Sequence, residues 1–199
     1  MRRLALVALA VVTLAGCTHA KPIPGVEKFP GLKHTHVDGT VTYEQTPPVG
    51  GPHSKVWIRC TTYDVPIPNE NAVHSMEHGA VWLTYRPDLS QADLDLVHRL
   101  LALNPRYVLI SPYPGLPNPV VASAWGLQLK VDRADDPRLA RFVKKYAGGK
   151  QGGEPGTHCF DGATLGQIEQ LKARQPGLGT PSASPAPSTA GTPGSTPTP

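Results

Sequence analysis

Apolar and polar positions in the middle of the chain alternate between two periods. Ala80-Val81-Trp82-Leu83-Thr84-Tyr85 is a near-continuous β-branched and aromatic run, which predicts a buried strand closed by Pro87. Ser90 follows with an acidic residue three positions on, and Leu94, Val97, Leu100 and Leu101 recur at helical spacing up to Asn104-Pro105. That pattern predicts an N-capped amphipathic helix. Tyr107–Ser111 returns to strand character and stops at Pro112 and Pro114. Val120 to about Val131 reads as a third, longer strand interrupted at Gly126. Asp136-Pro137 opens another helix, because proline at the first helical position gives up an N–H that has no partner anyway. Leu139, Phe142, Val143 and Tyr146 form its buried stripe, and Gly148 ends it. Upstream, Thr40–Tyr43 and Lys55–Ile58 are short strand candidates. Downstream, Thr164-Leu165-Gly166-Gln167 has the form of a capping box for a short helix ending at Arg174. The order β, β, β, α, β, β, α predicts a small α+β domain, with one mixed sheet and two to three helices packed on a face. The proline-stiffened step from Ser111 to Val120 fits either a hairpin or a wide loop.

The flanks lack this patterning. Arg2 and Arg3 precede an apolar stretch from Leu4 to Leu14, too short for a spanning helix, which needs about 20 residues. It reads as a secretory signal. Leu14-Ala15-Gly16-Cys17 resembles the lipobox of bacterial lipoproteins, in which the chain is cut before a cysteine whose thiol carries diacylglycerol. The expected layout is a signal peptide over 1–16, a tether over 17–33, the α+β domain over 34–174 and a tail over 175–199. The expected location is the extracytoplasmic face of the cell membrane. The lipid on Cys17 is the membrane partner, gaining about 0.8 kcal/mol for each buried methylene. The tail is uncharged and rich in Pro, Ser and Thr. Such a segment buries too little apolar surface to offset chain entropy and is expected to be disordered. Its composition is also that of O-glycosylated stalks.

Composition narrows the classes. With 23 Pro, 20 Gly and 17% charged residues in 199, the chain excludes a multi-domain enzyme, a polytopic membrane protein and a coiled coil. The net charge of +4 comes from scattered Lys and Arg, so no nucleic-acid partner is expected. Of three cysteines, lipidation of Cys17 leaves Cys60 and Cys159. In an oxidising compartment that pair is expected as a disulfide, the alternatives being two free thiols or a thiolate metal site.

Histidines form the one chemical constellation. His53 follows the stiff turn Pro47-Pro48-Val49-Gly50-Gly51-Pro52. His74 and His78 stand four apart just before the first predicted buried strand, so in a helical turn both reach one ion. Glu77 adds a carboxylate that can ligate, orient a ring or act as a base. The segments Val41-Thr42-Tyr43, Pro47-Pro48-Val49-Gly50-Gly51-Pro52-His53, Val73-His74-Ser75-Met76-Glu77-His78-Gly79-Ala80-Val81 and Ala124-Trp125-Gly126 together resemble the bacterial domain-of-unknown-function family 3105. The likeness spans about His36 to Ala147. It implies an exported or membrane-anchored domain, cysteines placed like Cys60 and Cys159, and a histidine at His36. It implies no activity.

Three readings of the cluster stand. In the first, His53, His74 and His78, joined by His36 or Glu77, bind copper or zinc; affinity order favours copper, and Met76 offers a soft sulfur. In the second, the histidines are structural and the domain is a non-catalytic binding or interaction module of the envelope. In the third, His74-Ser75-Met76-Glu77-His78 matches the inverted zinc-protease motif. Context argues against that enzymatic reading, because the motif needs a long helix and here Gly79 and a strand follow at once. Trp57, Trp82 and Trp125 are expected as core or cleft walls.

Overall fold

The structure, a computed structural model, describes residues 21–154 and 156–174. The expected signal peptide, Cys17 and the 175–199 tail lie outside the described residues. The elements run β1 (Val26–Lys28), α1 (Asn69–Glu77), β2 (Val81–Tyr85), α2 (Gln91–Arg99), β3 (Val108–Pro112), β4 (Val120–Ala124), β5 (Leu127–Val131), α3 (Pro137–Tyr146) and α4 (Leu165–Arg174). They build a single mixed sheet in the order β1-β5-β4-β2-β3. Among the described strands only β2 and β3 pair parallel, joined by α2 and a 3-10 turn at Leu100–Leu103. The step from β3 to β4 is the wide loop rather than the hairpin, since β4 pairs with β2 on its other side.

Strand alternation divides the core into two layers. Val81, Leu83 and Tyr85 face α2 and α3 through Val97, Leu139, Phe142 and Val143. Trp82 and Leu109 face the other way, onto Ala72, Val73 and Met76 of α1 and Ile168 of α4. Helices therefore cover both faces, and the described residues hold four of them where two to three on one face were expected. The predicted caps form: Ser90 Oγ accepts the Asp93 N–H, Asp136 accepts the Arg138 N–H, and Thr164 and Gln167 bond reciprocally.

Three expectations change. The long third strand is two, β4 and β5, folded back at Gly126 with φ +69°. Part of the expected tether joins the sheet: β1 pairs antiparallel with β5, Val26 opposite Leu129, and covers its edge. Thr40–Tyr43 and Lys55–Ile58 are not strands; this region makes only single bridges, His36 to His53, Ile58 to Ala163 and Thr62 to Ile110. Side chains take the N–H groups a ladder would need, Glu70 accepting from Val41 and Ser54 from Val56. The Cys60–Cys159 disulfide forms, with its Cα atoms 5.1 Å apart, so neither sulfur is a thiolate ligand. Among the described residues no helix is long and apolar enough to cross a membrane.

Candidate metal centre

Helix α1 supplies three of the side chains. Ala72, Val73 and Met76 face the apolar layer, which leaves His74, Glu77 and His78 together at i, i+3 and i+4. The helix ends in a Schellman turn: the Ala80 N–H reaches the Ser75 carbonyl at 3.0 Å and the Gly79 N–H the Met76 carbonyl at 2.9 Å. Gly79 takes φ +92° there, and the chain passes straight into β2.

The irregular segment before α1 wraps its polar face. His36 and His53 form a parallel bridge, in which the His53 N–H donates to Thr35 at 2.9 Å and the Val37 N–H to His53 at 2.8 Å. This single bridge sets the two rings side by side. The bend ahead of His53 runs against Trp125, and at Gly50 (φ +144°) a Cβ would fall 2.7 Å from Leu32 Cδ1 and 3.1 Å from the indole. Helix α1 grips the segment from below: the Asn71 amide donates to the Val56 carbonyl and the Ser75 hydroxyl to the Ile58 carbonyl, each at 2.6 Å.

Backbone contacts fix two tautomers. His53 Nδ1 lies 2.8 Å from the Gly51 carbonyl oxygen and His74 Nδ1 2.7 Å from that of Ser54. A carbonyl only accepts, so each Nδ1 carries a proton, and a ring in its neutral form turns a bare Nε2 inward. Metal-binding histidines are commonly held in this way. His53 Nε2 and Glu77 Oε2 stand 2.9 Å apart, with side chains 0% and 4% exposed. Despite that closeness, His53 Nε2 has no hydrogen-bond partner among the described residues, because the oxygen is off the line an N–H would take. The two atoms are close without being aligned as donor and acceptor. His36 Nε2 is 4.0 Å from the same oxygen, and His34 Nδ1 meets the other carboxylate oxygen at 2.6 Å.

The donor atoms of His36, His53, His74 and Glu77 all lie within 4.8 Å of one another. Ligands on a tetrahedral ion with bonds of about 2.0–2.1 Å stand about 3.4 Å apart. The His36 side chain, 41% exposed, is the member with freedom to close the set. A second group shares His74: its Nε2 is 3.1 Å from His78 Nε2, which is 2.9 Å from Glu154 Oε2. Trp57 packs edge-on against His74 and His78, and Trp125 stacks on His34 at 4.3 Å, so both indoles wall the site. Trp82 is core, its N–H bonded to Ser111. Burial lowers the His74 pKa to about 3, with His78 and His53 pushing the same way and the Ser54 bond opposing. Burial also lowers that of His78, against the hydrogen bond that its Nε2 donates to Glu154. Near neutral pH both are uncharged, the form that ligates.

The structure thus gathers His36, His53, His74 and Glu77, and places His78 beside His74 but with Glu154. The sequence reading did not single out His34 or Glu154. His34 stands two before His36, a spacing that puts both rings on one side of an extended chain. Glu154 lies among Gly152, Gly153 and Gly156, where no periodicity points to it. A family model described as "Protein of unknown function (DUF3105)" matches residues 34–161. The chain belongs to that family. Its matched span holds every residue of both groups, while β1 and the whole of the helix at Leu165–Arg174 extend the described fold beyond it. No curated protein and no solved structure matches the chain.

Proposed function

We propose that this domain binds a divalent transition-metal ion, zinc or copper, through His36, His53, His74 and Glu77, on the outer face of a membrane to which a lipid on Cys17 anchors it. The observation that carries the metal reading is the His53–Glu77 contact: two buried groups 2.9 Å apart with no hydrogen bond between them, and a backbone carbonyl already taking the N–H of the imidazole's Nδ1. With the imidazole neutral, two acceptors at that distance repel, and a shared cation makes the contact favourable. Three imidazoles and one carboxylate are borderline donors suited to Zn²⁺ or Cu²⁺. Met76 is fully buried in the apolar layer beneath α1, so the donor set gains no sulfur and leans away from Cu⁺.

The test is elemental analysis after loading the purified domain with Zn²⁺ or Cu²⁺ and removing the excess. The wild type should retain a single ion per chain, and a His53→Ala, His74→Ala variant, checked for folding by circular dichroism, should retain none. Equal metal content in the two would end the proposal, and no ion in either would favour the reading in which the histidines only pin the loops. For the anchor, Cys17→Ala should move the expressed protein from the detergent phase to the aqueous phase. Unchanged partitioning would remove that part.

A further inference from the structure

We infer that the ion enters and leaves this centre by ligand exchange across His74, between the inner set and an outer set made of His74, His78 and Glu154. The inference rests on the metal reading above and adds the route the ion takes. His74 Nδ1 is committed to the Ser54 carbonyl, so the ring has one lone pair to offer, at Nε2. His74 belongs to both groups, and Nε2 is the one atom it can offer to either. Two ions cannot use it at once, so the groups are alternative positions for one ion.

The two sets differ in how firmly they are held. His53 and His74 are fixed by backbone carbonyls, and His34 holds Glu77 at 2.6 Å. His78 has no backbone partner: its Nδ1 is buried without a hydrogen bond, and its Nε2 faces two acceptors, Glu154 Oε2 at 2.9 Å and the bare His74 Nε2 at 3.1 Å, so its proton sits on Nε2. The Glu154 side chain is 49% exposed, at the solvent end of the row. The inner set is built to hold and the outer set to exchange. The step balances. As bonds to Glu77, His53 and His36 break, bonds to His78 and Glu154 form, and His74 stays bound throughout. One carboxylate is exchanged for another, so the charge around the ion is unchanged. For His78 to ligate through Nε2, the proton that this nitrogen donates to Glu154 moves to the unpartnered Nδ1, and the Glu154 oxygen freed from that hydrogen bond becomes the other ligand. The ion keeps its oxidation state.

The experiment follows Zn²⁺ leaving the loaded domain into an excess of a chromophoric chelator, with the equilibrium Kd measured in parallel by competition. Glu154→Gln and, separately, His78→Gln should slow release by about tenfold or more, while Kd shifts by no more than about threefold. Release at the wild-type rate in both variants would mean that the ion leaves past His36, and would overturn the route. A loss of affinity with no slowing would make the two residues ordinary ligands and would overturn it too. A stoichiometry of two Zn²⁺ per chain would contradict the single lone pair at His74. If wild-type protein takes up no Zn²⁺, the metal reading itself has failed; if it binds and only the kinetic difference is missing, the failure belongs to the route alone.

Discussion

A neutral imidazole has one N–H and one lone pair, and in this centre the backbone takes the N–H of two rings. The carboxylate between them is positioned in turn by His34, which contacts Oε1 and leaves Oε2 toward His53. His34→Ala should therefore weaken Zn²⁺ binding by about 10–100-fold without touching a ligand. A competition titration giving the wild-type Kd would show that Glu77 is oriented without it. Burial also makes the centre sensitive to acid. The folded-state pKa of His74 is lowered to about 3, against 6.5 for the free side chain. Above pH 6.5 neither state binds the proton, and the buried ring costs nothing. As the pH falls below that value the unfolded chain takes up the proton and the folded chain does not, so stability is lost progressively down to about pH 3. The metal-free domain should melt at a lower temperature at pH 5 than at pH 7.5, and His74→Gln should shrink the difference; equal melting points in the wild type would contradict it. His74, Glu77 and His78 were legible in the sequence because helical spacing alone puts them on one face. The split between inner and outer sets was not, because it depends on which carbonyls the rings meet.

At the level of elements, α2, α3 and α4 could be read because each starts with a side chain that satisfies its free N–H groups. Helix α1 begins after Pro68 with no side-chain cap and buries most of its length, so neither a start signal nor a clean polar face marked it. The irregular stretch from 29 to 68 was the hardest part: its backbone is satisfied by side chains and single bridges between distant residues, which no local period reports. The glycine-rich connection after α3 belongs to the same class. It packs onto the end of α1, with the Gly148 N–H donating to the Gly79 carbonyl at 2.9 Å. A Cβ on Gly152 would collide with the Glu77 carbonyl oxygen, and one on Gly153 would fall 2.6 Å from His34 Nδ1. Gly152→Ala must push the connection off the helix and carry Glu154 with it. The expected result is a loss of about 1–3 kcal/mol of stability, the usual cost of overpacking, in chemical denaturation. An unchanged midpoint would mean that the connection shifts freely and does not define the outer set.

Across the whole molecule the sheet divides labour between its faces. The α2/α3 side is an apolar layer with no site residue in it. The α1 side carries the centre, and it is completed by chain that is distant in sequence: the segment before α1 and the segment between α3 and α4. The Cys60–Cys159 bond joins those two, 99 residues apart, and the Cys60 N–H reinforces it at 3.0 Å from the Cys159 carbonyl. Both sulfurs are buried, so the crosslink stabilises the fold instead of exchanging with solvent thiols. Closing a loop of this length removes unfolded-chain entropy worth on the order of 4–5 kcal/mol as an upper figure. For a domain of this size that corresponds to a melting point lower by about 10 °C or more once the bond is gone. The loss should fall unevenly. Ile58, two residues from Cys60, is the anchor that Ser75 holds, so releasing the crosslink loosens the segment carrying His53 more than it loosens the α2/α3 layer. A Cys60→Ser, Cys159→Ser variant should show the lower melting point together with faster amide exchange around residues 53–60, while β2 and β4 keep their protection. Uniform loss of protection across the sheet would mean that the crosslink supports the whole fold equally, and would remove the argument that it serves the face on which the histidines lie.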